Sequence, residues 1–391
     1  MDFEPWMLLA FPLFFGMGWL AARIDIKELL TESSALPRSY FDGLNFLLNE
    51  QQDQAIEAFI EVVKVDPQTI ELHFALGSLF RRRGEVDRAI RMHLNLVERP
   101  DLEEERKQQA LFELAQDYLK GGILDRAEDA LQRLRGTEYE KPAAEFLLDL
   151  YQKEKEWLKA IDVGRRLEAL TGESRGHLAA FFYCELAAPE LAKNRDEAAF
   201  AHLEQALTAD PKNVRASIML GDAALAAGRV ADAVGYWKNI EKQNPEYLPL
   251  VAERLLAAHR QMGDGESGET LLRGWLQQYP SLDLMNVLFG AVVARAGALA
   301  AYQLVRDELR RNPSLLGLEK LLEAQLLSYH GERRGDLELV KSLIHDRTRS
   351  LGMYRCSHCG FKARQFYWHC PACHSWDTYR PRRTEETGVT P

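Results

Sequence analysis

The sequence predicts an all-α protein built from a repeated helix pair, with an apolar N-terminal helix and a small C-terminal metal module. Three observations predict it. Small, aromatic and proline residues recur about every 34 positions through the middle of the 391-residue chain. Residues 5–22 carry no charge. Four of the five cysteines fall in two C-x-x-C turns near the C-terminus.

The repeat comes first because it covers most of the chain. Gly43 and Gly77 lie 34 residues apart, the period of a tetratricopeptide helix pair. Gly43 is followed by Phe46, Ala55 and Phe59, and Gly77 by Phe80 and Ala89 at matching offsets. The pattern returns at Gly221, Ala233, Trp237 and Pro245, and Pro211, Pro245, Pro280 and Pro313 follow one another at 34, 35 and 33 residues. Small residues let the two helices of a pair approach, aromatic residues fill the groove, and proline stops the second helix. Weaker units are marked by Ala115, Tyr118 and Ala127, then by Tyr151 and Ala160. Residues 38–350 therefore read as a tetratricopeptide-repeat superhelix of eight or nine helix pairs, stable only as a stack.

The run from Pro5 to Ala22 is eighteen uncharged residues, about 27 Å of helix at 1.5 Å per residue, near the hydrocarbon thickness of a bilayer. Trp6 and Trp19 sit near its ends, where indoles favour the interface. A cleaved signal peptide is the rival reading, but Asp2 and Glu4 precede the run instead of basic residues. Arg23, Lys27 and Arg38 follow it, so the positive-inside rule leaves the N-terminus outside and the bulk of the chain cytoplasmic. Residues 1–23 are expected to anchor the chain in the membrane, with 24–37 as a juxtamembrane linker.

At the other end, Cys356-Ser-His-Cys359-Gly360 and Cys370-Pro371-Ala-Cys373 form two knuckles separated by ten residues. Cys356, Cys359, Cys370 and Cys373 can wrap one tetrahedral metal ion as thiolates, and either zinc or iron suits such a set. Gly360 gives the backbone freedom that the first turn needs, and Pro371 pre-sets the second. The competing explanation is disulfide pairing. Residues 351–381 are expected to form this module, with 382–391 a flexible tail. The fifth cysteine, Cys184, lies in an apolar helical pattern and reads as an inert core thiol.

A net charge of −10 argues against nucleic-acid binding through the body of the protein. Nothing in the repeats looks catalytic: His73, His93, His177 and His202 stand singly, and no phosphate loop or nucleophile elbow is present. The Arg81-Arg82-Arg83 cluster reads as a solvated helix end. Binding of peptides or proteins is the default function of such an array.

Four features in order carry a family resemblance. They are the N-terminal apolar run, a first repeat Tyr40-Phe-Asp-Gly-Leu-Asn-Phe-Leu-Leu-Asn-Glu-Gln-Gln-Asp-Gln-Ala, the segment Arg83-Gly-Glu-Val-Asp-Arg-Ala-Ile, and the pair Tyr354-Arg-Cys-Ser-His-Cys-Gly-Phe and Tyr367-Trp-His-Cys-Pro-Ala-Cys. Over its whole length the chain resembles the lipopolysaccharide assembly protein B family of Gram-negative bacteria. The resemblance implies a non-enzymatic, single-pass inner-membrane adaptor with a periplasmic N-terminus. It implies that the adaptor helps a membrane-bound AAA+ protease degrade the deacetylase that commits precursors to lipid A, so limiting lipopolysaccharide synthesis. It also implies restraint by a lipopolysaccharide-sensing inner-membrane protein, contact with inner-membrane lipid, and a role in scaffolding lipopolysaccharide assembly proteins. The family's C-terminal module is described as rubredoxin-like, which implies iron at the four cysteines, although the spacing between these knuckles is much shorter than in rubredoxins.

Two other functions stand beside the adaptor. One is a membrane-tethered electron-transfer protein, which needs a reversible iron couple. The other is a nucleic-acid-binding zinc ribbon: Arg355, Lys362, Arg364, Arg380, Arg382 and Arg383 are interleaved with seven aromatic residues and a single acid, Asp377. Most of those rings are needed for the module's core and for docking it to the last repeats, and contact with anionic lipid or an acidic partner explains the charge as well. No nucleic-acid partner is expected.

Overall fold

The computed structural model describes residues 38–387, apart from positions 50, 66–69, 329–330, 332 and 350. The expected anchor, the linker and residues 388–391 lie outside the described residues. The chain divides into two compact units, residues 1–150 and 151–391.

The first unit contains α1 (Arg38–Leu48), α2 (Gln52–Val65), α3 (Ile70–Arg83), α4 (Val86–Glu98), α5 (Glu104–Lys120), α6 (Leu124–Arg133) and most of α7 (Glu140–Glu154). Consecutive helices pair as the sequence period demands. The small residue on one helix faces a ring sixteen positions later on its mate. A Cβ added to Gly43 would lie 2.5 Å from the Phe59 ring, and one on Gly77 would strike the His93 ring. Ala55, Phe59, Leu76, Phe80 and Ala89 are buried in the resulting seam.

That ring position completes the reading of one polar residue and corrects that of another. His93, which stands singly in the sequence, is a fully buried packing residue with a partner, its Nδ1 lying 2.5 Å from the buried Asp117 carboxylate. Arg81 is not a solvated helix end. It reaches Asp117 at 2.8 Å and Glu113 at 2.6 Å, so a guanidinium, two carboxylates and an imidazole share one buried site across three helices. Burial opposes the charge on Arg81, but its bonds to Glu113 and Asp117 outweigh that and raise its pKa.

The second unit runs from the end of α7 through α8 (Trp157–Thr171), α9 (Gly176–Ala192), α10 (Asp196–Ala209), α11 (Val214–Ala226), α12 (Val230–Gln243), α13 (Pro249–Gln261), α14 (Gly265–Gln278), α15 (Leu282–Arg311), α16 (Leu315–Ser328) and α17 (Arg334–Thr348). The same rule holds at Gly221, whose missing Cβ makes room for the fully buried Trp237. Trp237, Leu255, Trp275, Leu288, Val292 and Val305 belong to one continuous core.

Helix α15 is apolar and long enough in residue count to cross a bilayer. Gly297, at φ 81° and ψ 176°, breaks it into two arms that form a helix pair of their own. Each arm of about fifteen residues spans roughly 22 Å, short of a hydrocarbon core, and Leu284, Leu288 and Val292 of the first arm pack inward. Counted this way, the described residues hold nine helix pairs. Two two-residue strands, β1 (Tyr354–Arg355) and β2 (Lys362–Ala363), then form an antiparallel ribbon that opens the cysteine module.

Candidate metal centre and its docking surface

The two C-x-x-C turns fold as copies of one another. In the first, the Gly360 amide donates to the Cys356 carbonyl at 3.0 Å and the Cys356 amide to the Phe361 carbonyl at 2.9 Å. In the second, His374 donates to Cys370 at 3.0 Å and Cys370 to Ser375 at 2.9 Å. Gly360 adopts φ 77°, as its place in the sequence predicts. His374 holds the equivalent position with φ 56°, a left-handed conformation that a residue with a Cβ adopts at a cost.

These turns bring four sulfurs within 4.8 Å of one another. Cys356 and Cys373 are 3.8 Å apart and Cys359 and Cys370 are 3.7 Å apart. The edge of a tetrahedron with metal–sulfur bonds of about 2.3 Å is roughly 3.8 Å, so the donor set fits one tetrahedral ion. All five cysteines are free in the structure, and no sulfur is bridged to another. Burial opposes ionisation of Cys356, but the Cys359 and His358 amides and the Thr378 hydroxyl hold its pKa below the usual thiol range. At Cys359 the Phe361 amide favours ionisation, yet desolvation and the neighbouring thiols prevail and push it up to about 12. Charges this close oppose one another, and a divalent cation at the centre would remove the conflict.

The module's own core is small: Tyr354, Cys356, Cys370 and Tyr379, with the Tyr379 hydroxyl donating to the Phe361 carbonyl at 3.1 Å. Phe366, Trp368 and Trp376 face the repeats, whereas Tyr367 packs edge-on against Tyr379 within the module. Trp376 stacks on Phe181 at 5.3 Å, meets Trp157 and Phe182 edge-on, and donates its indole N–H to Gln152 at 3.0 Å. Trp368 stacks on Tyr247 at 5.4 Å with the rings 3° from parallel. Of the module's aromatic side chains, Phe361 is the one left largely exposed among the described residues.

Charged groups complete the seam. Asp377 accepts from the Tyr247 hydroxyl and lies 3.6 Å from His177, which also bonds Asp210 at 3.0 Å. Burial raises the Asp377 pKa against the pull of the Tyr247 bond. His177 is thus a docking residue, a role its isolation in the sequence concealed. Arg382 and Arg380 face Glu246 at 3.5 and 4.0 Å. Arg383 grips Asp283 through two nitrogens at 2.8–3.0 Å. Half of the module's basic residues therefore meet acidic partners on the chain's own repeats.

The expected flexible tail is ordered at its start. Glu386 accepts from the Leu282 amide at 2.9 Å and Glu385 from the Leu315 and Leu316 amides, so each carboxylate caps a different repeat helix. Burial raises the Glu386 pKa, opposed by its bonds from the Leu282 and Arg383 amides. The sequence carries no signal of this, because the three capped amides belong to helices about 70 to 104 residues away. Cys184 is buried, and desolvation pushes its thiol up to about 12, as expected of an inert core residue.

A helical-repeat protein that carries a tetrathiolate metal knuckle seated on its repeats is the class that this fold and site define. Residues 354–381 match the rubredoxin metal binding domain family, and residues 43–101 and 191–258 match tetratricopeptide repeat families. Lipopolysaccharide assembly protein B of Escherichia coli strain K12 is 35% identical over 380 residues, covering 96% of this chain and 98% of its own. The Haemophilus influenzae protein of the same name is 29% identical, covering 97% and 98%. The chain belongs to the lipopolysaccharide assembly protein B family.

Proposed function

We propose that this protein acts in lipopolysaccharide assembly as an inner-membrane adaptor. In this reading it presents the deacetylase that commits precursors to lipid A to a membrane-bound AAA+ protease, and a lipopolysaccharide-sensing membrane protein restrains it. The observation that carries the reading is the whole-length kinship with proteins named for lipopolysaccharide assembly, joined to a fold whose chemistry is recognition. The chain is anchored by residues 1–23 with its N-terminus in the periplasm, and Arg23, Lys27 and Arg38 hold the repeats on the cytoplasmic side. Tethering confines adaptor, protease and substrate to one plane and so raises their effective concentration.

Cys356, Cys359, Cys370 and Cys373 would hold one iron or zinc ion, which supplies the cross-link that a module with so small a core requires. The chain's own residues do the rest. Trp376, Trp368, Asp377 and Arg383 fix the module on the second unit, so that repeats and knuckle offer partners one continuous surface. The rings a nucleic-acid binder would use for stacking are spent in that seam, which speaks against that alternative.

Pulse-chase measurement of the deacetylase half-life in depleted and complemented cells tests the proposal. Depletion is expected to lengthen the half-life and raise lipopolysaccharide, and complementation to reverse both. An unchanged half-life would sink the adaptor reading.

A further inference from the structure

The ribbon that opens the metal module pairs two cations. Arg355 on β1 stands directly opposite Lys362 on β2. Like charges placed across an antiparallel pair repel, and a ribbon of two residues per strand has little else to hold it. Among the described residues neither side chain has a carboxylate within ion-pair distance, whereas Arg380, Arg382 and Arg383 of the same module all do. The Arg355 guanidinium instead lies over the first knuckle: its Nη2 and Nε come within 3.6 and 3.8 Å of the place a Cβ on Gly360 would take. Gly360 follows Cys359, the exposed member of the sulfur set.

We infer that Arg355 and Lys362 are the electrostatic counterpart of the metal centre, positioning residues that neutralise its charge and hold the ion in place. The inference rests on the proposal that the four cysteines bind metal. Four thiolates around a divalent ion leave a net double negative charge, and two cations on the ribbon match it. Attraction of each cation to the anionic site then offsets the repulsion between them, so that ribbon and metal stabilise each other. Cys359 is exposed, so the first knuckle is the side on which a competing chelator would reach the sulfurs, and the Arg355 guanidinium lies beside Gly360 of that same knuckle. Outer residues of this kind typically change metal retention by 10- to 100-fold.

The test uses the full chain in detergent, loaded with zinc, and follows transfer of zinc to an excess of a coloured chelator. Arg355→Gln and Lys362→Gln are each expected to speed metal loss roughly tenfold, and the double variant further. Arg355→Lys, which keeps the charge, should stay near the parent rate. Salt should accelerate loss from the parent by screening and leave the double variant almost unaffected. Thiolate-to-metal charge-transfer bands of the cobalt-loaded variants should match the parent, showing an intact ligand set. Loss of those bands would overturn the inference by making the residues merely structural. One zinc per chain lost at the parent rate from every variant would overturn it while leaving the metal site standing. A parent chain that binds no zinc or cobalt would instead overturn the metal-site reading itself.

Discussion

Arg383 and Asp283, one hundred residues apart, are joined by a forked ion pair with three nitrogen–oxygen distances of 2.8–3.0 Å. The same carboxylate accepts from the Tyr354 hydroxyl at 2.6 Å, and the Arg383 guanidinium lies 4.0 Å above the Tyr354 ring. Another Arg383 nitrogen donates to the Gly352 carbonyl at 2.6 Å. One aspartate at the start of α15 therefore orients the first strand of the metal module and the segment that follows its last knuckle. Burial opposes the charge on Arg383, but Asp283 outweighs it and raises its pKa.

Breaking this clamp should loosen the module without unfolding the repeats. Arg383→Ala is expected to cost about 2 kcal/mol of docking stability, in the range of charged hydrogen bonds. Asp283→Ala should cost more, since it removes the carboxylate shared by the Arg383 fork and the Tyr354 hydroxyl. A double-mutant cycle read by urea denaturation should give a coupling of roughly 1–3 kcal/mol. Additive effects would show that the two residues act separately.

Removing the metal should unfold the module and spare the helices. The module's core is four side chains, two of them cysteines, so the ion supplies most of its cohesion. Chelation, or Cys370→Ser, is expected to leave far-ultraviolet circular dichroism nearly unchanged. Tryptophan emission should shift to the red as Trp368 and Trp376 leave Tyr247 and Phe181. Elemental analysis of protein prepared anaerobically without chelator should find one ion per chain.

The two knuckles should respond oppositely to substitution at their matching turn positions. His374→Gly removes a left-handed Cβ and keeps the carbonyl that meets His369 Nε2 at 2.9 Å, so it should stabilise the module by about 1 kcal/mol. Gly360→Val places a branched side chain at φ 77° against the Arg355 guanidinium and should destabilise by at least as much. Thermal melts of the metal-loaded protein check both signs.

Much of this architecture is legible in the sequence because its signals are local. Gly43 with Phe59 and Gly221 with Trp237 lie within single helix pairs, so a period of about 34 residues exposes them. Four thiols in two short turns announce their own cluster, since the chemistry that requires them also sets their spacing.

Contacts between distant segments escaped that reading. Arg81 and His93 look like a helix end and an isolated histidine until folding sets Asp117 beside both. Trp376 meets Gln152 across 224 residues, and Asp377, the lone acid in a basic module, meets Tyr247 and His177 on two different repeats. The sequence by itself determined the helix-pair period, the four-cysteine set and the family. Only the tertiary structure decided where the module sits, which of its cations are neutralised, and that Glu385 and Glu386 cap repeat helices. The physical reason is range: a turn or helix pair is specified by neighbours in the chain. A docking seam depends on which distant surfaces lose water together, and the pairing of residues across it appears only when the chain is folded.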